Sequence, residues 1–322
     1  MGKSKPRNSH HVIEEDEDDL PPPPSAFARL GKKVLKAVFR PKRLLLLALI
    51  PILGTAAPVV WRHRPQIKEN PIYRFTAAEI HISETPSHVP TDLVARTVEA
   101  AELGPEFSVL DRDLLPRLAD AFSKEPWVKR VVQLRKGLPA HVEADLEYRT
   151  PVAMIDVKSG VYPIDAEGVL LPPEDFTPAE VKRYPLVTGV RSLPAGPPGT
   201  PWGDNTVLGA AKVAATVAPH WTEFDLTAIH APTPIVAQPT LDELTFELHT
   251  RGGSRVVWGR PPGTGHPGEL TADQKLGRLK RYVTDFGPFA APGPPFEIDI
   301  RPWQEITRRP LATAERGHPG WR

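Results

Sequence analysis

The side chains in this sequence that could do chemistry are few and scattered. There is no cysteine, which excludes a thiol nucleophile and a zinc–thiolate site. Eleven histidines are spread along the chain. His10 and His11 are adjacent, but no further ligand type is fixed near them. His81 and His249 fall in segments that alternate like strands, where an exposed or hydrogen-bonded imidazole is expected rather than a metal ligand. Asp299 and Arg301 stand two residues apart, on one face of a strand. That spacing suits a salt bridge or a partner contact better than a catalytic pair. Gly252-Gly253-Ser254 has no helix directly behind it and reads as a turn rather than a phosphate cradle. Serine-hydrolase, zinc-protease and phosphate-loop motifs are all missing. The residues therefore predict no catalytic, metal or cofactor site and no small-molecule substrate.

What remains is binding, and composition narrows the partners. Lys and Arg total 40 against 39 Asp and Glu, a balance that argues against nucleic acid. The 40 prolines break long helices and favour short strands joined by ordered turns.

The elements that must position any binding surface begin with Leu44 to Trp61, which carry no charge. As a helix this stretch spans about 27 Å, close to the hydrocarbon thickness of a bilayer. Pro51 would kink it, and Trp61 stands where an aromatic belt residue anchors. A buried core helix and a cleaved signal peptide are the alternatives. Against the signal peptide, the preceding residues include the acidic run Glu14 to Asp19. Arg29, Lys32, Lys33, Lys36, Arg40, Lys42 and Arg43 precede the stretch, and only Arg62, Arg64 and Lys68 closely follow it. That excess predicts a cytoplasmic N-terminus.

The chain then divides into a disordered, basic cytoplasmic tail (1–43), the span (44–61), an α+β module (70–150), a β-rich domain (151–307) and a flexible tail (308–322). In the module, 74–83 reads as a strand, 90–102 and 111–124 as amphipathic helices, and 127–135 and 141–149 as strands. In the second domain, 205–217 and 272–286 read as helices, and 226–230, 244–250, 255–259 and 296–301 as strands. The Pro/Gly-rich inserts 193–204 and 261–268 look longer than the fold needs.

Four pieces in order, Phe107-Ser-Val-Leu-Asp111, Pro126-Trp-Val-Lys-Arg-Val131, Leu138-Pro139 and Glu147-Tyr-Arg-Thr-Pro-Val-Ala153, resemble the POTRA domain of the FtsQ/DivIB cell-division family. Tyr162 to Leu170 is similar to that family's Asp-x-x-Gly hairpin, and the resemblance runs from about Leu44 to Arg301. Pro302-Trp303-Gln304-Glu305 departs from the family pattern at the last strand. The resemblance implies an α+β fold: one transmembrane helix, a βααββ POTRA domain and a mixed β domain with flanking helices. It also implies a non-catalytic, single-pass scaffold of the inner membrane, its C-terminal domains periplasmic and gathered at the septum. Such a scaffold links early and late division proteins to septal peptidoglycan synthesis. Its partners would be FtsB/FtsL-type (DivIC/FtsL) proteins and the septal wall synthase, recruited by β-strand docking. The surface expected to do this is Phe296, Ile298, Asp299, Ile300, Arg301 and Trp303, with Trp127, Val128 and Val131 as a second contact; core packing is the alternative for each apolar one, and Trp127 is expected to bury most of its indole. A POTRA scaffold serving envelope biogenesis or protein export is the alternative.

Overall fold

The computed structural model describes residues 70–311 except 237 and 290–292, together with Thr55 and Val59. The chain splits into two units, Met1–Lys68 and Glu69–Arg322, and the residues 70–311 all belong to the second. The stretch 44–61 lies outside the described residues apart from Thr55 and Val59, which are helical; so do the tails 1–43 and 312–322. Among the described residues no helix is long and apolar enough to cross a membrane.

The fold is α+β. Strands β1 (Arg74–Phe75) and β2 (Ile80–Ile82) lead into α1 (Leu93–Ala100), β3 (Phe107–Ser108), α2 (Leu114–Lys124), β4 (Val128–Gly137) and β5 (His141–Tyr148). The expected strand 74–83 is split because Thr76 caps a turn of 3-10 helix at 77–79, its side chain and that of Glu79 exchanging capping bonds. β2, β5 and β4 form a three-stranded sheet in that order, β2 parallel and β4 antiparallel to β5. β1 and β3 make a separate two-stranded ribbon. Leu93, Leu118, Phe122, Trp127 and Val142 form a closed core between helices and sheet, each with no exposed surface.

After Arg149-Thr150 the chain passes into β6 (Pro151–Val157) and β7 (Gly160–Asp165). A one-turn helix α3 (Pro178–Val181), β8 (Leu186–Thr188), α4 (Asn205–Val217), β9 (Leu226–His230), β10 (Phe246–Thr250) and β11 (Arg255–Gly259) follow. Helix α5 (Ala272–Phe286) and strands β12 (Phe296–Asp299) and β13 (Thr307–Pro310) close the domain. The eight strands from β6 onward form one mixed sheet in the order β13-β12-β11-β10-β9-β8-β6-β7. Asp204 caps α4, accepting from the Thr206 N–H at 2.7 Å. The alanine-rich face of α4 lies close to the sheet: a Cβ at Gly209 would come within 2.8 Å of the Phe246 ring. Thr271 and Gln274 box the start of α5, and Gly287, at φ 87°, ends it.

Two motif pieces that are separate in sequence meet at the junction. Asp165 Oδ1 accepts from the backbone N–H groups of Glu167 and Val169, both at 2.9 Å, which folds the hairpin turn. Its other oxygen takes the Arg149 guanidinium at 2.6 Å. Trp127 also reaches past β7: its indole N–H donates to Asp175 at 2.7 Å, and Arg96 holds that same carboxylate. Trp127 and Val128 are therefore core residues, and the expectation that they face a partner is corrected by their burial at 0% and 3% exposure. Val131 is half-buried against the same core.

The insert 193–204 is part of the fold rather than surplus length. Trp202 is buried, its indole N–H bonds the Ser192 hydroxyl at 3.1 Å, and the Gly199 and Trp202 N–H groups bond the carbonyls of Leu170 and Gly168. The chain beyond 307 also differs from expectation. Thr307–Pro310 is a strand paired with β12, so the sheet extends past the boundary placed at 307.

Candidate docking surface

The C-terminal end of the sheet is built by β11, α5, β12 and β13. β12 alternates as its sequence requires. Ile298, with Ile300 just beyond the strand, is fully buried in the core under α4 and α5; Phe296 packs against that core half-covered. Glu297 and Asp299 point to the opposite, uncovered face. There Glu297 pairs with Arg255 and, at 2.7 Å, with Arg309, which ties three neighbouring strands together. Asp299 accepts from Arg301 at the backbone N–H (3.0 Å), Nε (2.9 Å) and Nη2 (2.7 Å). Burial pushes the Asp299 carboxyl up, but the bonds from Arg301 outweigh it and hold the group below the usual carboxylate range.

Of the residues read as a partner-binding strand, Ile298 and Ile300 are core, and Asp299 and Arg301 satisfy one another. Both edges of β12 are paired, to β11 on one side and to β13 on the other. β12 is thus not the open template it was expected to be. The charge reversal Arg301→Glu is expected to leave Asp299 unpaired beside a second carboxylate. A loss of about 1–3 kcal/mol in a denaturation curve follows, and Asp299→Asn in the same chain should recover part of it.

Among the described residues, the free edge at this end of the sheet belongs to β13. The Leu311 N–H donates to the Pro295 carbonyl at 2.8 Å, and Glu297 stands opposite Arg309. Antiparallel alternation then turns the backbone groups of Thr307, Arg309 and Leu311 inward and those of Arg308 and Pro310 outward. Proline has no N–H, so Arg308 supplies the only outward donor of the four strand residues. This edge is short, basic and blunted by Pro310, a combination that limits indiscriminate pairing. The Arg308 side chain lies over the rings of Phe286 and Phe296, 4.3 and 4.9 Å from their centroids.

Beside this edge runs a groove of about 510 Å³ between α5 and the 303–306 segment. Leu270, Phe286, Trp303 and Ile306 give it apolar walls, and its charged lining carries both signs: Arg278 and Arg281 against Asp285 and Glu305, with Arg281 paired to Asp285 at 3.3 Å. Trp303 is 74% exposed. Arg278 donates a bond to the Trp303 carbonyl at 3.2 Å, while its Nε and Nη2 are buried without a partner among the described residues. Of the sequence-selected residues Trp303 alone lines this groove; Arg301 is also exposed but is engaged by Asp299. Arg278, Arg308 and the groove were missed because a charged helix face reads as solvated and a Thr-Arg-Arg-Pro strand has no apolar alternation.

Among the described residues no three metal-type side chains gather. His81 is exposed, and His249 stacks on His230 at 5.4 Å on the uncovered sheet face. Comparison with protein-family models and with curated proteins finds no match to this chain.

Proposed function

We infer that the chain is a single-pass membrane scaffold of the bacterial division machinery, with its α+β unit outside the cytoplasm. It acts without catalysis, by docking partner segments at the C-terminal edge of its sheet. The observation that carries this reading is the free β13 edge flanked by an apolar, arginine-bearing groove. A partner strand pairing with Arg308 would place its side chains beside Trp303 and within reach of the exposed Arg281. The sequence order of an uncharged stretch, a βααββ module with the POTRA-like motif set and a terminal mixed sheet supports the FtsQ/DivIB resemblance. On that reading the partners are FtsB/FtsL-type proteins and, through them, the septal wall synthase.

The test is where the protein gathers and what its edge recruits. A fluorescent fusion should form a midcell band in dividing cells. An even envelope signal overturns the division reading in favour of an envelope-biogenesis scaffold. Arg308→Pro removes the outward N–H while leaving the inward ladder whole, and Arg308→Ala controls for the lost ring contacts. Midcell recruitment of the FtsB/FtsL-type partner should fall with the proline variant and persist with alanine, at matching melting temperatures. Equal recruitment by both variants rules out strand pairing at β13.

A further inference from the structure

The geometry points to a lipid-contacting tip at the opposite end of the βααββ module, formed by Ile72, Leu110 and Leu138. These three are large apolar side chains left 54%, 41% and 66% exposed. They lie far apart in sequence, but backbone bonds bring their segments together. The Ala140 N–H donates to the Ile72 carbonyl at 3.3 Å, and the Val109 N–H to the Tyr73 carbonyl at 3.0 Å. Asn70 fixes the entering turn by accepting from the Ile72 N–H at 3.0 Å. Lys136 bonds the Asp111 carbonyl and ties the β4–β5 hairpin to the segment carrying Leu110. Pro71 and Pro139, both exposed, extend the apolar rim. The patch is held in shape by its own backbone bonds, so its exposure is built in rather than incidental.

The occupant follows from where the chain enters. The described unit begins at this tip, at Asn70, and eight residues, 62–69, separate it from Trp61 at the end of the uncharged stretch. Fully extended, the nine steps from Trp61 to Asn70 reach about 30 Å. If 44–61 is the membrane anchor, as the proposed function holds, the tip is tethered within that distance of the lipid surface. Ile72, Leu110 and Leu138 can then enter the interfacial region while the exposed Arg112 meets anionic headgroups. This inference rests on the anchor reading, and its content is separate: the tip touches lipid through Ile72, Leu110 and Leu138.

The chain has no native cysteine, so single-cysteine probes are clean. The full chain, reconstituted into phosphatidylcholine–phosphatidylglycerol vesicles, would carry a polarity-sensitive fluorophore at Ile72→Cys, Leu138→Cys or Leu193→Cys. Leu193 is the control: it is 59% exposed, in the insert whose Gly199 packs on Pro126 just before the far end of β4. Quenching by a nitroxide carried high on the lipid acyl chain is expected to be severalfold stronger at 72 and 138 than at 193. If the chain floats with the vesicles and all three probes quench alike, the tip inference falls and the anchor stands. Chain that fails to float removes the anchor and the inference with it. A blue shift at 138 that depends on protein density, without lipid quenching, assigns the tip to a second copy and also overturns the inference.

Discussion

Trp127→Ala is expected to melt well below the parent. The side chain has no exposed surface, and emptying its site removes apolar burial and leaves a cavity, which costs about 3–5 kcal/mol. For a unit of this size that corresponds to a fall in Tm on the order of 10 °C. The indole does more than fill space. Its N–H donates to Asp175, and its ring lies 5.8 Å from Phe176 at an interplanar angle of 28°, so it fastens the first core to residues that follow the β6–β7 hairpin. Trp127→Phe separates the two contributions: it keeps most of the packing and loses the bond, for roughly 1–3 kcal/mol. Calorimetry on the two variants checks this. An unchanged Tm for the alanine variant would mean that the site closes around the loss or that the indole is not buried.

The second large effect is expected at Lys275. This residue lies on α5 with its side chain 3% exposed, and Glu269, its partner, is 10% exposed. The ammonium also donates to the Arg260 carbonyl at 2.9 Å and sits 5.1 Å from the centroid of the Trp258 ring. Glu269 in turn accepts from the Arg260 N–H at 3.1 Å. Removing one partner strands a charge where water does not reach. Lys275→Met should therefore cost about 3–5 kcal/mol, and combining it with Glu269→Gln should recover most of that. Burial pushes the Glu269 carboxyl up, but the bonds and charges of Lys275 and Arg260 override it and hold the group below the usual range. A depressed carboxylate contributes stability above its unfolded value near 4.3, and that stability is lost as pH falls through the folded value. Denaturation curves from pH 7 down to pH 3 should lose part of their acid slope in Glu269→Gln.

Lys275 shows where sequence reasoning stops. Helices α4 and α5 were legible to the residue because their apolar positions recur at helical spacing and Thr271 and Asp204 supply caps. The same periodicity places Leu279 and Tyr282 inward but leaves a lysine among them looking solvated. Only the return of Glu269 from the 261–268 insert makes a buried lysine tolerable. The proline and glycine content of both inserts reads as loop, which it is. Their fixed shape comes from long-range bonds such as Gly199 to Leu170, which have no local signature. The candidate surface was legible in outline only. The alternation of 296–301 gave the strand, yet β13 is a strand because β12 holds it there, and nothing in Thr-Arg-Arg-Pro announces that.

The order in which the sheet is completed has a consequence of its own. One of its two edge strands is contributed by residues 307–310, which leave the ribosome after every other described strand in the sheet. A chain cut short of Thr307 would still possess the buried core residues around Ile298, but it would offer the bare flank of β12 in place of the blunted edge with its single outward donor. On the scaffold reading, a partner that pairs at Arg308 thereby distinguishes finished molecules from fragments.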